Sequence, residues 1–513
     1  MSRNLPGLLK DFAYPYSRAD GAQPMMLRLP TSIGGLRRSV RFARVLAALA
    51  CLGLAVAGSG EAWAQADASR AQLPEPTTDP LRIDFASDPI LRLSEQTAPV
   101  EEFRQAVASA VARHPARLEA VAADDEARAA LSEARERLFP SGDLTITSYK
   151  VLSREFSNDP ANIIERSRPD QRTDVLMSVQ QTVFDFGATS QRIAAARLRL
   201  AATAADVEYA SDRLALNTIA NWYDLFAYRA LVAVALQFTG MQEEFRAAIR
   251  ERVGQGVSAE TDIARVESYI AAASSRLAQL QRAAAQAEAR YVELSGMAPL
   301  SPLPRAPHLG TVLLTKEEAE LAAQSRANVR SAEAVAAAAH QDFRATRSES
   351  LPQVTAGIDA GRYGLFETER DYDVRARVTL RHRFLGGVEP RIEQSGARSR
   401  AAAARALRVR EEAERDAAIA WSDVRALENQ LDAVRQAYIA SRLSRDALFE
   451  RFRVSSGTLT DALAANDAYF DAAIAYVQAM SELDAARYVL LSTTGGLLQA
   501  LDIEPPPGTG GRQ

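Results

Sequence analysis

Two pairs of short segments alternate between apolar and polar residues. The clearest pair runs from Gln353 to Gly361 and from Asp373 to Arg381, with an apolar side chain at every second position. An earlier pair of predicted strands covers about Asp143 to Val151 and Asp174 to Phe184, and Leu176 interrupts the alternation of the second. A period of two over about ten residues predicts β-strands that turn one face to lipid and the other to water.

The sequence favours very long helices outside these strands. In the first half we predict helices over about Val100 to Leu138, Ala188 to Val253 and Ser258 to Leu294. The second of these has no proline and is rich in helix formers, so its roughly 66 residues would form a rod of about 100 Å. Apolar residues spaced three and four apart mark one side of each long helix: Ala215, Ile219, Trp222 and Phe226, and Val424, Leu427, Leu431, Val434 and Tyr438. Such stripes are typical of helices that pack side by side.

The same unit occurs twice along the chain. Five pairs of identical residues are each separated by 199 positions: Gly187 and Gly386, Trp222 and Trp421, Asp224 and Asp423, Asp262 and Asp461, and Gly296 and Gly495. Pro140 and Pro352, before the first strand of each pair, are 212 positions apart. The first repeat is therefore longer between its proline and its glycine than the second, and such a difference in length is expected of a surface loop. We therefore predict a first repeat over residues 100–296 and a second over 315–495. A proline-rich linker (297–314) joins them, and a disordered tail (496–513) follows.

The first 64 residues have the order of features found in a secretory signal. Basic residues precede the apolar run Val45 to Ala57, which ends near the small-residue triplet Ala62-Trp63-Ala64. Thirteen apolar residues are fewer than the roughly 20 that span a bilayer as a helix, so cleavage after Ala64 is favoured over an anchor. The only cysteine, Cys51, would be lost with this segment, which excludes disulfides and thiolate metal sites from the mature chain.

Four strands are too few to close a barrel. An open sheet in hydrocarbon leaves unpaired backbone groups at both edges, and each such group costs several kcal/mol. The chain is therefore expected to assemble with copies of itself. Three copies would supply twelve strands, an even number within the range of bacterial barrels.

Several motifs, in order and in duplicate, resemble the TolC-type outer-membrane factors. They are Leu138-Phe139-Pro140 before the first strand, the segment Gln181 to Gly187 after the second, its echo Phe384 to Gly387, and the segments Thr261 to Ile263 and Gly457 to Leu463. The resemblance covers nearly all of residues 100–495. It implies a mixed α and β membrane protein: a homotrimer with a twelve-stranded β-barrel in the outer-membrane lipid and a helical barrel in the periplasm, preceded by a periplasmic segment over residues 65–99.

The resemblance also implies partners and a gated periplasmic end. The partners are a periplasmic adaptor and an inner-membrane ABC or proton-driven pump. Three residues match the family's closed aperture: Asp262, Phe452 and Asp461. Gly457 and Ala464 depart from the pattern, where the family has an arginine and a second aspartate. The alternative for Asp461, three residues after Thr458, is a helix cap.

Four arginines of the last strand region, Arg375, Arg377, Arg381 and Arg383, share one face and are candidates to line the barrel lumen. The alternative is a solvated polar face without a role in selection.

No catalytic chemistry is indicated. The four histidines are scattered and lack zinc-motif spacing, and there is no G-x-S-x-G or P-loop sequence. We therefore predict no enzyme activity and no cofactor. A net charge of −4 and a pI near 5.9 give no reason to expect nucleic acid as a partner.

The resemblance leaves the exported cargo open. Type I protein secretion is favoured slightly, because the predicted mature start has no cysteine for a lipid anchor; small-molecule efflux is the alternative. Two other classes compete with a channel: a periplasmic adaptor, which would not need lipid-facing strands, and a structural coiled-coil protein, which would need no strands at all.

Overall fold

The computed structural model describes residues 72–503, except 157–159, 161–162, 164–166, 311–314, 369–370, 385 and 455–456. The predicted signal segment with Cys51, and residues 504–513 of the predicted tail, lie outside the described residues.

The described elements follow the duplicated order expected from the sequence. The first half contains α1 (Pro89–Arg92), α2 (Val100–Arg113), α3 (Pro115–Glu136), β1 (Ser141–Lys150), β2 (Gln171–Phe184), α4 (Ala188–Gly254) and α5 (Glu260–Ser295). The second half contains α6 (Lys316–Ala323), α7 (Ala327–Glu349), β3 (Gln353–Arg362), β4 (Tyr372–Arg381), α8 (Val388–Arg453), α9 (Leu459–Thr493) and α10 (Leu497–Ala500). Each repeat thus contributes one β-hairpin and one very long helical hairpin.

The strands form one antiparallel sheet in the order β1-β2-β3-β4. The central pairing, β2 with β3, joins the two repeats and contains a register shift between Thr182 and Phe184. Thr182 pairs with Thr355 and Phe184 with Val354, so the shift leaves Val183 as one extra residue on β2. Both repeats therefore share a single sheet.

A glycine with positive φ lies between each β-hairpin and the long helix that follows it. Gly187 (φ 83°) and Gly387 (φ 86°) are the N-cap residues of α4 and α8, in a backbone region that side chains with a Cβ rarely adopt. At the first of these turns, the Asp185 carboxylate accepts hydrogen bonds from the N–H groups of Gly187 (3.0 Å) and Thr189 (2.7 Å). The aspartate thereby satisfies donors at the start of a helix that is 67 residues, or about 100 Å, long.

The long helices pack laterally, as their apolar stripes predict. α4 contacts α5, α3 and α7, and α7 in turn contacts α8, which pairs with α9. In the earlier stripe all four predicted residues are buried. In the later stripe Val424 and Tyr438 are buried and the three residues between them are half-buried. The wall of the helical part is therefore the side-by-side series α3, α4, α7 and α8.

The linker between the repeats is irregular but firmly attached. Ring groups of three helical residues donate hydrogen bonds to its carbonyl oxygens: Trp222 Nε1 to Pro304 (2.8 Å), Tyr223 OH to Ala306 (3.1 Å), and Tyr488 OH to Pro307. Ala98 N–H also donates to the Arg305 carbonyl at 2.7 Å. The linker and the N-terminal segment thus complete one core with α2, α4 and α9.

Two predicted boundaries were wrong. The helix expected over about Val100 to Leu138 is broken at His114, which is extended and is followed by Pro115 at the first position of α3; proline cannot continue the preceding helix. The tail expected to be disordered from residue 496 instead begins with α10, in which Leu497 and Leu498 are buried. Apolar packing extends the ordered chain at least to Ile503.

No helix among the described residues is long and apolar enough to cross a membrane.

Candidate functional site: the sheet faces and the helical tips

One face of the sheet is apolar across all four strands. A single cross-strand row joins Leu144 to Met177, Met177 to Ala360, and Ala360 to Val374. On the outer strands the side chains of this face are exposed in the isolated protomer, since Leu144 is 67% exposed and Val378, further along β4, is 76% exposed, whereas Ala360 on β3 is half-buried. A contiguous exposed surface of this kind requires an apolar environment or a partner.

The opposite face is polar and nearly balanced in charge. Three of the arginines predicted for the lumen, Arg375, Arg377 and Arg381, lie on it, and Arg383 follows the end of β4. Asp373 pairs with Arg375, and the Asp359 carboxylate lies 3.6 Å from Arg377 Nη2. Aspartates therefore compensate the first two arginines, which the sequence pattern alone did not indicate. Within the described residues, Arg381 and Arg383 have no ion-pair partner.

The two outer strands have free edges. Within the described residues, β1 pairs only with β2, and β4 pairs only with β3. Their outer edges therefore present unpaired backbone N–H and C=O groups beside an exposed apolar face. This combination is costly in water and in lipid alike.

The tips of the two helical hairpins place Asp262 in a capping role. Its carboxylate accepts a hydrogen bond from the Ala259 N–H at 3.3 Å and lies 3.6 Å from Arg265 Nη1. Arg265 Nη1 also donates to the Thr460 hydroxyl at 3.0 Å, which connects the two tips of the protomer. Asp262 thus stabilises the start of α5 and the contact between hairpins.

Asp461 differs from its repeat partner. The start of α9 is capped by Thr458, whose hydroxyl accepts from the Asp461 N–H at 3.1 Å. The Asp461 carboxylate is exposed and, among the described residues, has neither a hydrogen bond nor an ion pair. The cap therefore does not use this carboxylate, which leaves it free for other contacts.

Phe452 lies in a small core that joins the tips. Its ring packs against a cluster that includes Ile249 and Leu463, and the guanidinium of Arg252 lies 4.7 Å from the ring centroid. Close packing also accounts for Gly457, because a Cβ at this position would lie 3.0 Å from the Phe452 backbone nitrogen. The geometry gives Phe452 a packing role within the protomer; its role in an aperture stays a prediction.

Two buried polar clusters fix the N-terminal segment and the linker. In the first, the Asp88 carboxylate accepts from the Tyr438 hydroxyl and pairs with Arg442. In the second, Arg305 Nη2 lies 2.5 Å from the Asp484 carboxylate, which is 1% exposed. No local sequence pattern marks these contacts, because the partners are distant in the chain and no periodicity links them.

The second cluster contains two groups with shifted pKa values. Burial raises the pKa of Asp484 to about 6, although Arg305 opposes the shift. Burial, together with the positive charges of Arg305 and Arg487, lowers the pKa of His308 to about 4. His308 lies in the linker and Asp484 lies on α9.

The described protomer thus combines a four-stranded sheet that has one exposed apolar face with two long helical hairpins. No family model matches the chain. The outer membrane efflux protein BepC of Brucella suis biovar 1 is 26% identical over 343 residues, which cover 64% of this chain and 73% of the relative.

Solved structures agree closely in architecture. The outer membrane protein VceC of Vibrio cholerae has a TM-score of 0.68 at 17% identity, over 79% of this chain and 98% of its own. The outer-membrane channel OprN has a TM-score of 0.67 at 21% identity, over 83% and 95%. The open-state MtrE channel of Neisseria gonorrhoeae has a TM-score of 0.67 at 18% identity, over 79% and 91%. The chain therefore has the fold of TolC-type outer-membrane factors, as its motifs predicted.

Proposed function

We propose that this chain is one protomer of a homotrimeric channel in the outer membrane, with its helical part in the periplasm. The observation that carries this proposal is the sheet: its apolar face is exposed, and the outer edges of β1 and β4 have no partner strand among the described residues. Pairing β1 of one copy with β4 of the next satisfies both edges. Three copies give a closed barrel of twelve strands, with the apolar face toward lipid.

The helical part continues the channel. In each protomer α3, α4, α7 and α8 lie side by side, so three copies supply a wall of twelve helices below the barrel. Helices about 100 Å long are sufficient to extend deep into the periplasm. The chain acts as a conduit without catalysis, and an inner-membrane pump with a periplasmic adaptor supplies the energy and delivers the cargo.

The helical tips form the periplasmic aperture in this proposal. Asp461 carries the strongest support, because its exposed carboxylate has no partner among the described residues. Three copies would place three carboxylates around the axis and favour cations. Asp262 and Phe452 contribute by holding the two tips of each protomer together.

Two classes of cargo remain as candidates. Type I protein secretion is the prediction made from the sequence. Small-molecule efflux is the second candidate, favoured by the name of the BepC relative, an efflux protein. A deletion strain separates them: loss of a protein from the culture medium supports secretion, whereas increased retention of dyes and antibiotics supports efflux.

Membrane fractionation of the expressed mature protein tests the channel itself. We expect it in the outer-membrane fraction, as a trimer whose migration on gels changes on heating. A monomeric protein that is soluble without detergent would contradict the proposal and favour a periplasmic adaptor instead.

A further inference from the structure

Six arginines gather where the sheet joins the helical wall; we call this group the arginine belt. Its members are Arg192, Arg199, Arg381, Arg383, Arg391 and Arg398. They line two adjoining cavities of about 380 and 350 Å³, which share Arg391 and Thr346. The belt is therefore a continuous surface and not a set of isolated side chains.

Heptad spacing aligns the belt along three neighbouring helices. Arg192 and Arg199 are seven residues apart on α4, as are Arg391 and Arg398 on α8. Two turns of helix bring residues seven apart onto the same side. α7 lies between these helices and contributes Asp342 and Glu349, again seven residues apart.

The two carboxylates cannot neutralise six arginines. Glu349 accepts from Arg192 Nη2 at 2.8 Å and from Arg391 Nη2 at 3.3 Å, and Asp342 pairs with Arg192 and Arg199. Arg398, Arg381 and Arg383 have no ion-pair partner among the described residues. Other carboxylates, of Glu126, Glu133 and Asp206, line a neighbouring depression on the α3 side. The α8 side of the belt keeps an excess of positive charge.

The belt lies on the polar side of the sheet. Gln353 and Arg381 are directly opposite each other in the β3–β4 pair, and both line the second cavity. Their side chains belong to the same face as the pair formed by Asp359 and Arg375, six residues further along each strand. In the trimer proposed above, this face surrounds the lumen.

We propose that the arginine belt is an anion-binding section of the channel wall, which takes the carboxylate or phosphate groups of the cargo. Guanidinium groups bind both oxyanions through paired N–H donors, and three copies multiply the charge around one axis. The N-terminus of α8, at Gly387 and Val388, lines the same cavity and adds its dipole. This inference rests on the proposed channel function and specifies the cargo that the channel favours.

Planar-bilayer recordings of purified trimers in zwitterionic lipid test the belt. Tripolyphosphate and a heptaglutamate peptide serve as soluble probes. Arg381→Gln and Arg398→Gln remove charge without breaking an ion pair within the described residues. Arg400→Gln is the matched control, because Arg400 is two positions from Arg398, about 200° around the helix, and its Nη1 lies beside Gly396.

We expect tripolyphosphate to block the wild-type channel and the Arg400→Gln control equally. Block should weaken by about fivefold in each belt variant, and the chloride-to-potassium permeability ratio should fall. Equilibrium binding of tripolyphosphate to the detergent-solubilised trimers should weaken in parallel. This measurement does not require an open channel, so it also tests trimers that stay closed in the bilayer.

Three results would overturn the inference. The first is equal block and equal binding in the wild-type protein and both belt variants. The second is an effect that appears only in bilayers containing phosphatidylglycerol, which would place the bound phosphate in the membrane. The third is the absence of any wild-type conductance and trimer, which would remove the proposed channel function together with the belt; conductance without belt sensitivity removes the belt alone.

Discussion

The cluster around Asp484 allows a prediction whose sign follows from two opposing titrations. His308 Nε2 lies 3.3 Å from the Asp484 carboxylate and 3.2 Å from Arg487 Nη1. Arg305 Nη2 lies 3.3 Å from the same ring nitrogen. We predict that His308→Gln makes stability fall more steeply than in the wild-type protein as pH rises between about 4 and 6.

The signs are opposite because the two pKa values move in opposite directions. The pKa of Asp484 is about 6 when folded, above its unfolded value of roughly 3.9, so this group stabilises below pH 4 and the contribution is lost as pH rises to 6. The pKa of His308 is about 4 when folded, below its unfolded value of roughly 6.5, so stability from this group rises with pH over the same window.

The contributions of the two groups to the free energy of unfolding are of the same order. Two pKa units correspond to roughly 3 kcal/mol for Asp484, which is 1% exposed. The His308 side chain is 35% exposed, so solvent screening reduces its opposing contribution to roughly 1–2 kcal/mol. Removing the histidine should therefore uncover a decline of roughly 3 kcal/mol, whereas the stability of the wild-type protein declines by roughly 1–2 kcal/mol.

Thermal unfolding in detergent, followed by tryptophan fluorescence from pH 4 to pH 7, measures the effect. Trp222 reports on this region because it is hydrogen-bonded to Pro304, next to Arg305. His340→Gln, at an exposed position of α7, is the control and should retain the wild-type profile. The reasoning fails if His308→Gln is as stable at pH 6.5 as at pH 4.5, or if both histidine variants respond alike.

Three further predictions concern the sheet, the N-terminal segment and the tips. Val378→Arg, on the apolar face, should cost about 2–4 kcal/mol in lipid and reduce the heat-modifiable outer-membrane form, whereas Thr379→Arg, one residue along on the polar face, should assemble normally; equal assembly would contradict the assignment of faces. Asp88→Ala should cost about 3–5 kcal/mol, because it leaves a buried guanidinium without its carboxylate, and limited proteolysis should then release the segment before α2; resistance equal to wild type would argue against this anchor. Asp461→Asn should reduce cation selectivity in planar bilayers more than Asp262→Asn, whose carboxylate is engaged in capping; unchanged selectivity in Asp461→Asn would exclude it from the aperture.

The duplicated order of elements could be predicted because its signals are local. Alternation with a period of two fixes which residues share a strand face, and the spacing of three and four fixes which side of a long helix is buried. The long helix predicted from Ala188 to Val253 is observed as Ala188–Gly254, and the strand predicted from Asp174 to Phe184 begins three residues earlier, at Gln171. Pro115, which ends the preceding helix, is a helix-breaking signal that is visible in the sequence.

The details of the tips and the belt could not be predicted from local patterns. Asp262 and Asp461 occupy equivalent positions in the two repeats, yet only Asp262 accepts a capping hydrogen bond; in the second repeat the capping acceptor is the hydroxyl of the N-cap residue Thr458, where the first repeat has Ala259. Likewise, the aspartates that pair with Arg375 and Arg377 become apparent only when the strand register is known. Side chains at equivalent positions of the two repeats therefore differ in their contacts.

The sequence by itself determined the repeated hairpins, the buried side of each long helix and the apolar face of each strand, since these depend on the periodicity of residues close together in the chain. Only the tertiary structure decided how the two hairpins share one sheet, how Arg305 and Asp88 anchor the linker and the N-terminal segment, and which arginines gather at the junction. Those contacts join residues that are tens to hundreds of positions apart. Their geometry is set by the packing of whole elements, and no local pattern encodes it.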